Sequence, residues 1–109
     1  MFKLAQTPSY TAAVEVIVAG ETAKQTFDVE FKRLTKDDIL ALNNRIRAGE
    51  ITDRDVCHEV VIGFSGVQGP DGEMEFSVGN LDKVLNIHPV EQAVITALFA
   101  SLAGARQKN

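Results

Sequence analysis

Residues 27–39 read FDVEFKRLTKDDI, and the rhythm of the chain changes inside them. Through Lys32, apolar Phe27, Val29 and Phe31 alternate with polar Asp28, Glu30 and Lys32. A period of two with β-branched and aromatic residues is the pattern of a half-buried strand. From Leu34 onward the pattern is that of a helix start. Thr35 can accept a hydrogen bond from an orphan amide of the first turn, Asp38 can reach back to the Thr35 amide, and Leu34 can pack on Ile39. These are a capping box and a hydrophobic staple.

The same template recurs. ITDRDV (51–56) places Thr52 with Asp55 and Ile51 with Val56, and FSVGNL (76–81) places Ser77 with Asn80 and Phe76 with Leu81. The third copy fits less well, because Gly79 disfavours helix and Asn is not the preferred box partner. A fourth start, HPVE (88–91), puts Pro at the first helical position and Glu at the third. The repeated template is therefore helix punctuation and carries no chemistry of its own.

Upstream, YTAAVEVIV (10–18) alternates as well, with Val14, Val16 and Val18 on one face and Ala13, Glu15 and Ile17 on the other. AGETA (19–23), with Gly20, suits a reversal. An antiparallel hairpin over residues 10–18 and 24–33 follows. It needs a cover for its Phe27/Val29/Phe31 face, because an isolated hairpin is marginal in water.

Four helices are expected after it. They span residues 36–48, ending at Gly49, then 53–64, with Val56, Val60 and Phe64 on one stripe, then 78–86 and 89–103. GVQGPDG (66–72) is a turn-rich loop. The last helix is apolar nearly all round, which places it at the centre of the core or against a partner. The expected fold class is α+β: an N-terminal antiparallel β-hairpin followed by about four α-helices packed as a small helical domain. One domain takes all 109 residues, with a hairpin region at 1–34, a helical region at 35–105 and a polar tail at 106–109.

Composition narrows the function. Apolar residues make up 45% of the chain and charged residues 24%, as in a soluble globular protein. The opening MFKLAQTPSY lacks the apolar run of a signal peptide, and no stretch has the roughly 20 apolar residues of a membrane span. A cytoplasmic location follows, with no membrane partner. The net charge is −4, with the acidic excess in the middle of the chain, so a phosphate backbone is a poor ligand. The turn before DRDVCHEVV (53–61) hints at a helix-turn-helix, but Asp53, Asp55 and Glu59 against Arg54 would repel DNA, and no nucleic-acid partner is expected.

Candidate catalytic groups are isolated. Cys57 is the sole cysteine, which excludes an intramolecular disulfide and a thiolate zinc site. His58 is its neighbour, but adjacent helical residues point about 100° apart and form no thiolate–imidazole pair. His88 reads as a helix-start residue. Asp71, Glu73 and Glu75 alternate along DGEMEF without the rest of a calcium loop. No phosphate-binding glycine loop and no G-x-S-x-G elbow is present. The expectation is a non-enzyme with no catalytic residue, metal, cofactor or small-molecule substrate.

Apolar residues are in local excess at Val60, Val61, Ile62, Phe64 and Val67, and along the last helix at Ile95, Phe99 and Leu102. The hairpin and last helix can cover the first group, or part of it can await a partner. Of these, Val60, Val61, Phe64, Val67, Ile95, Phe99 and Leu102 are the candidate partner-binding residues.

The order FKRLTKDDI (31–39), GFSGVQGPDGEMEFS (63–77) and LAGARQKN (102–109) resembles the tail assembly chaperones of long-tailed bacteriophages and prophages. The similarity runs from residue 26 to 109. It implies a viral protein that binds the tape-measure protein and keeps it soluble in the host bacterial cytoplasm. The major tail protein then displaces it, leaving it absent from the mature virion. It also implies self-association, since wrapping a long amphipathic client favours many copies. The alternatives are a small structural tail or connector protein retained in the virion, and a prophage regulatory module acting by protein–protein interaction. A gene between those of a major tail protein and a very long reading frame would favour the chaperone.

Overall fold

The computed structural model describes residues 1–104, so the polar tail lies outside the described residues. Strands β1 (Ser9–Val16) and β2 (Gln25–Lys32) pair antiparallel without a slip, from Ser9 opposite Lys32 to Val16 opposite Gln25. That register sets Val14 and Val16 on the same face as Val29 and Phe31, and all four are buried. The strands close earlier than their alternation suggests. Between them the Glu21 amide donates to the Val18 carbonyl at 2.9 Å, around Gly20 at φ +89°.

Helices α1 (Lys36–Arg47) and α2 (Asp53–Val60) begin as expected. Thr35 and Thr52 each accept from the amide three residues on, at 3.1 Å, and Asp38 and Asp55 each accept from the cap amide. After α1 the chain turns at Gly49, φ +72°, a left-handed position that favours glycine.

The second helix does not continue to Phe64. It ends at Val60, and Val61–Ser65 forms strand β3, antiparallel to β2. Val61, already extended, still donates its amide to the Cys57 carbonyl, so helix passes into strand without a loop. The segment VIGFS is β-branched and aromatic around a glycine that disfavours helix, and the second edge of β2 offers it a ladder. The hairpin thus becomes a three-stranded sheet in the order β1-β2-β3. Gly63 lies against Glu30, where a Cβ would stand 2.9 Å from the Glu30 carboxylate. The β2–β3 register shifts at Glu30/Phe31, so that Ile62 has no partner in the ladder and stays exposed.

The glycine-rich loop closes on itself through β4 (Gln68–Gly69) and β5 (Gly72–Glu73). Helix α3 (Val78–Leu85) starts at Ser77, which accepts from the Asn80 amide at 3.0 Å. The Asn80 side chain donates instead to the Glu75 carbonyl at 2.8 Å, so the third copy of the template lacks the reciprocal half of the box. Helix α4 (Val90–Ala103) starts one residue later than expected, with Pro89 at the cap position and no side-chain cap. It packs across β1, α2 and α3. Leu98 and Val94 reach the sheet core of Val14, Val29 and Phe31, joined by Val56 and Val60 of α2. The class is α+β, with helices on one face of an antiparallel sheet.

Candidate partner-binding surface

The seven candidate residues separate into three groups. Val60 and Val61, at the junction of α2 and β3, are 2% and 4% exposed, and both belong to the core. Neither presents a side chain to a partner in this conformation. The dense apolar run is accounted for by this junction, where one residue ends a helix stripe and the next begins a strand on the same core.

Phe64 stands opposite Val29 in the β2–β3 ladder and is half-buried. Its ring meets Phe76 edge to face, with centroids 5.3 Å apart at 77°, which closes the strand over the start of α3. Val67 is half-buried in an apolar groove of about 220 Å³ where the end of β1 faces the α3–α4 joint. Val16, Val18, Phe27, Val84, Ile87 and Val90 complete its apolar wall.

Ile95, Phe99 and Leu102 follow at i, i+4 and i+7 on α4, a single helical stripe. Each is half-buried, beside the fully covered stripe of Val90, Val94 and Leu98. The structure therefore keeps these three together, sets Phe64 and Val67 by the end of the sheet, and withdraws Val60 and Val61.

Other exposed apolar residues escape periodicity. Phe2 and Leu4 are 86% and 93% exposed, and Ile17, Leu40, Ile62, Val78 and Ile87 are about half exposed or more. For Ile62 the cause is the bulge in β3. MFKLAQ (1–6) is too short for a hydrophobic pattern to single it out, although its apolar content was visible.

Polar side chains tie the helices together. His58 Nε2 and Asp82 Oδ1 are 2.6 Å apart, joining α2 to α3. Arg54 donates to Glu91 at 3.1 Å and lies 3.6 Å from Asp82, joining α2 to α4 as well. Arg45 holds Glu59 through two 3.0 Å bonds, which fix α1 to α2. Arg54, the arginine of α2, is thus committed to an internal ion-pair network, as Glu59 is to Arg45. Cys57 is fully buried, and burial first, then the Glu91 and Asp53 charges, push its thiol up to about 12. It faces the core while His58 faces Asp82, in agreement with the separation inferred from helical geometry. Among the described residues no group of three or more His, Cys, Asp or Glu is placed to hold a metal ion. No helix among the described residues is long and apolar enough to cross a membrane.

Comparison with curated proteins and with solved structures gives no match. A family model described as phage tail assembly chaperone matches residues 1–109. With that match over the whole chain, the protein belongs to the phage tail assembly chaperone family.

Proposed function

We propose that this chain binds the tape-measure protein without catalysing a reaction, and keeps it soluble in the host bacterial cytoplasm during tail assembly. The major tail protein then polymerises around the client and releases the chaperone, which is left out of the virion. Family membership supports the general role.

The observation that carries the finer reading is the division of α4 into two apolar stripes. Val90, Val94 and Leu98 are consumed by the core, whereas Ile95, Phe99 and Leu102 keep part of their surface in solvent. A half-covered apolar stripe on a rigid helix suits an amphipathic helical client, which docks through its own i, i+3/i+4 anchors. Phe64 and Val67 are half-buried apolar side chains apart from this stripe.

The test is co-expression with the tape-measure protein of the same genome. The client is expected in the soluble fraction only with this chain, and the two should elute together. Paired Ile95→Asp and Phe99→Asp substitutions should abolish co-elution while the circular dichroism spectrum stays native. A client that remains insoluble while this chain elutes alone would overturn the reading and favour a small structural protein retained in the particle. Binding that survives both substitutions would remove α4 from the interface.

A further inference from the structure

We infer that two copies of this chain associate by exchanging the segment around Phe2 and Leu4, each copy inserting these side chains into the apolar groove of the other. This contact goes beyond the proposed client and stands whether or not that client is a tape-measure protein.

Three observations lead to a second copy as the occupant. The first is the segment itself. In an extended chain Phe2 and Leu4 point to one side and Lys3 to the other. Both apolar side chains are almost wholly in solvent. The segment leaves the body at a fixed point, because Arg33 donates from Nε to the Thr7 carbonyl at 2.7 Å and from Nη2 to Thr7 Oγ1 at 3.1 Å. The Arg33 amide also donates to the Pro8 carbonyl at 2.8 Å.

The second is reach. The groove lies at the far end of β1, where Val16 and Val18 form one wall. Nine residue steps separate Thr7 from Val16, about 30 Å at the usual rise of extended chain. Five extended residues carry Phe2 no more than about 17 Å from Thr7. The shorter route across the inner face is closed by α4, which is joined to β1 by Tyr10 and Ser101. The segment therefore does not reach the groove of its own copy.

A second copy removes the distance. The outer edge of β1 has no strand partner among the described residues. Antiparallel pairing of two such edges, centred on Ala12 or Ala13 with both inner faces on one side, sets Pro8 of one copy opposite Val16 or Val18 of the other. Each Phe2–Leu4 segment then starts beside the groove it fills, and the two-fold contact closes on itself. Unpaired strand edges are templates for such pairing.

The third is charge. Lys3 separates the two apolar anchors, and two carboxylates stand next to polar residues of the groove. Glu21 accepts from the groove residue Gln25, and Glu73 stands opposite the groove residue Gln68. Neither carboxylate forms an ion pair among the described residues.

Sedimentation velocity over a range of concentrations tests the contact. The full chain is expected to dimerise. Phe2→Asp with Leu4→Asp should yield monomers, and so should Ile87→Glu, which alters the groove at a residue 49% exposed and so spares the fold. Mixing the two variants should restore part of the association, because one intact segment then meets one intact groove. A Leu4→Cys, Ile87→Cys double variant should cross-link between chains on mild oxidation. A full chain monomeric throughout, association untouched by either variant, failure of the mixture to recover, or a disulfide formed within one chain would each overturn the inference.

Discussion

Tyr10 Oη and Ser101 Oγ stand 2.7 Å apart, joining the first strand to the last turn of the last helix across 91 positions of sequence. Ser101 also approaches the Leu98 carbonyl at 2.6 Å, and the Tyr10 ring lies between Phe31 and the Arg33 guanidinium, 5.9 and 5.1 Å away. The pair thus fixes how α4 lies on the sheet. Tyr10→Phe is expected to cost about 0.5–1.5 kcal/mol, the usual net value of one hydrogen bond. Leu98→Ala, one turn earlier and fully buried, should cost about 2–5 kcal/mol. Urea denaturation of both variants measures the ratio, and a Tyr10→Phe loss as large as that of Leu98→Ala would refute the assignment.

The capping boxes predict the acid limb of stability. Hydrogen bonds from the Thr35 backbone and side chain hold the Asp38 carboxyl below its ordinary 3.8, and those of Thr52 do the same for Asp55. A depressed carboxylate stabilises the fold above its unfolded pKa, and that contribution is lost as pH falls through the folded value. Denaturation midpoints of Asp38→Asn and Asp55→Asn should therefore approach those of the parent chain below about pH 3.8 and fall short of them at neutral pH. Thr35→Ala should cost about 0.5–2 kcal/mol at neutral pH.

Cys57 should behave as an inert thiol. With its pKa raised from 9.0 to about 12, it stays protonated in the folded chain at pH 8. A thiol-reactive chromophore should label it only at the rate of unfolding, and fully in denaturant. Because the unfolded thiol ionises first, stability should decline as pH rises between about 9 and about 12. Rapid labelling of the native chain would show that the α2 core is open.

Arg54 is the hub between α2, α3 and α4, but it is one-third exposed. Screening limits each of its ion pairs, so Arg54→Ala should cost no more than about 1 kcal/mol. The cost should shrink in 1 M salt, where the screening length is about 3 Å. Equal losses in low and high salt would instead assign the effect to packing of the arginine stem.

The sequence determined whatever depends on neighbours in the chain. Two capping boxes, the β1–β2 pairing and the helix end at Gly49 all follow from contacts within a few residues or across one hairpin. The isolation of Cys57 from His58 was legible for the same reason. Tertiary structure alone decided the fate of VVIGF (60–64). That run continues a helical stripe from Val56 and Val60 while carrying β-branched residues that suit a strand, and the free edge of β2 selected the strand. The same choice buried Val60 and Val61, left Ile62 outside in the bulge and set Phe64 on Phe76. In α4, apolar nearly all round, periodicity gives no inward face. Only contact with β1, α2 and α3 assigns Leu98 to the core and leaves Phe99 at the surface, because burial is a property of the neighbours a side chain meets in space.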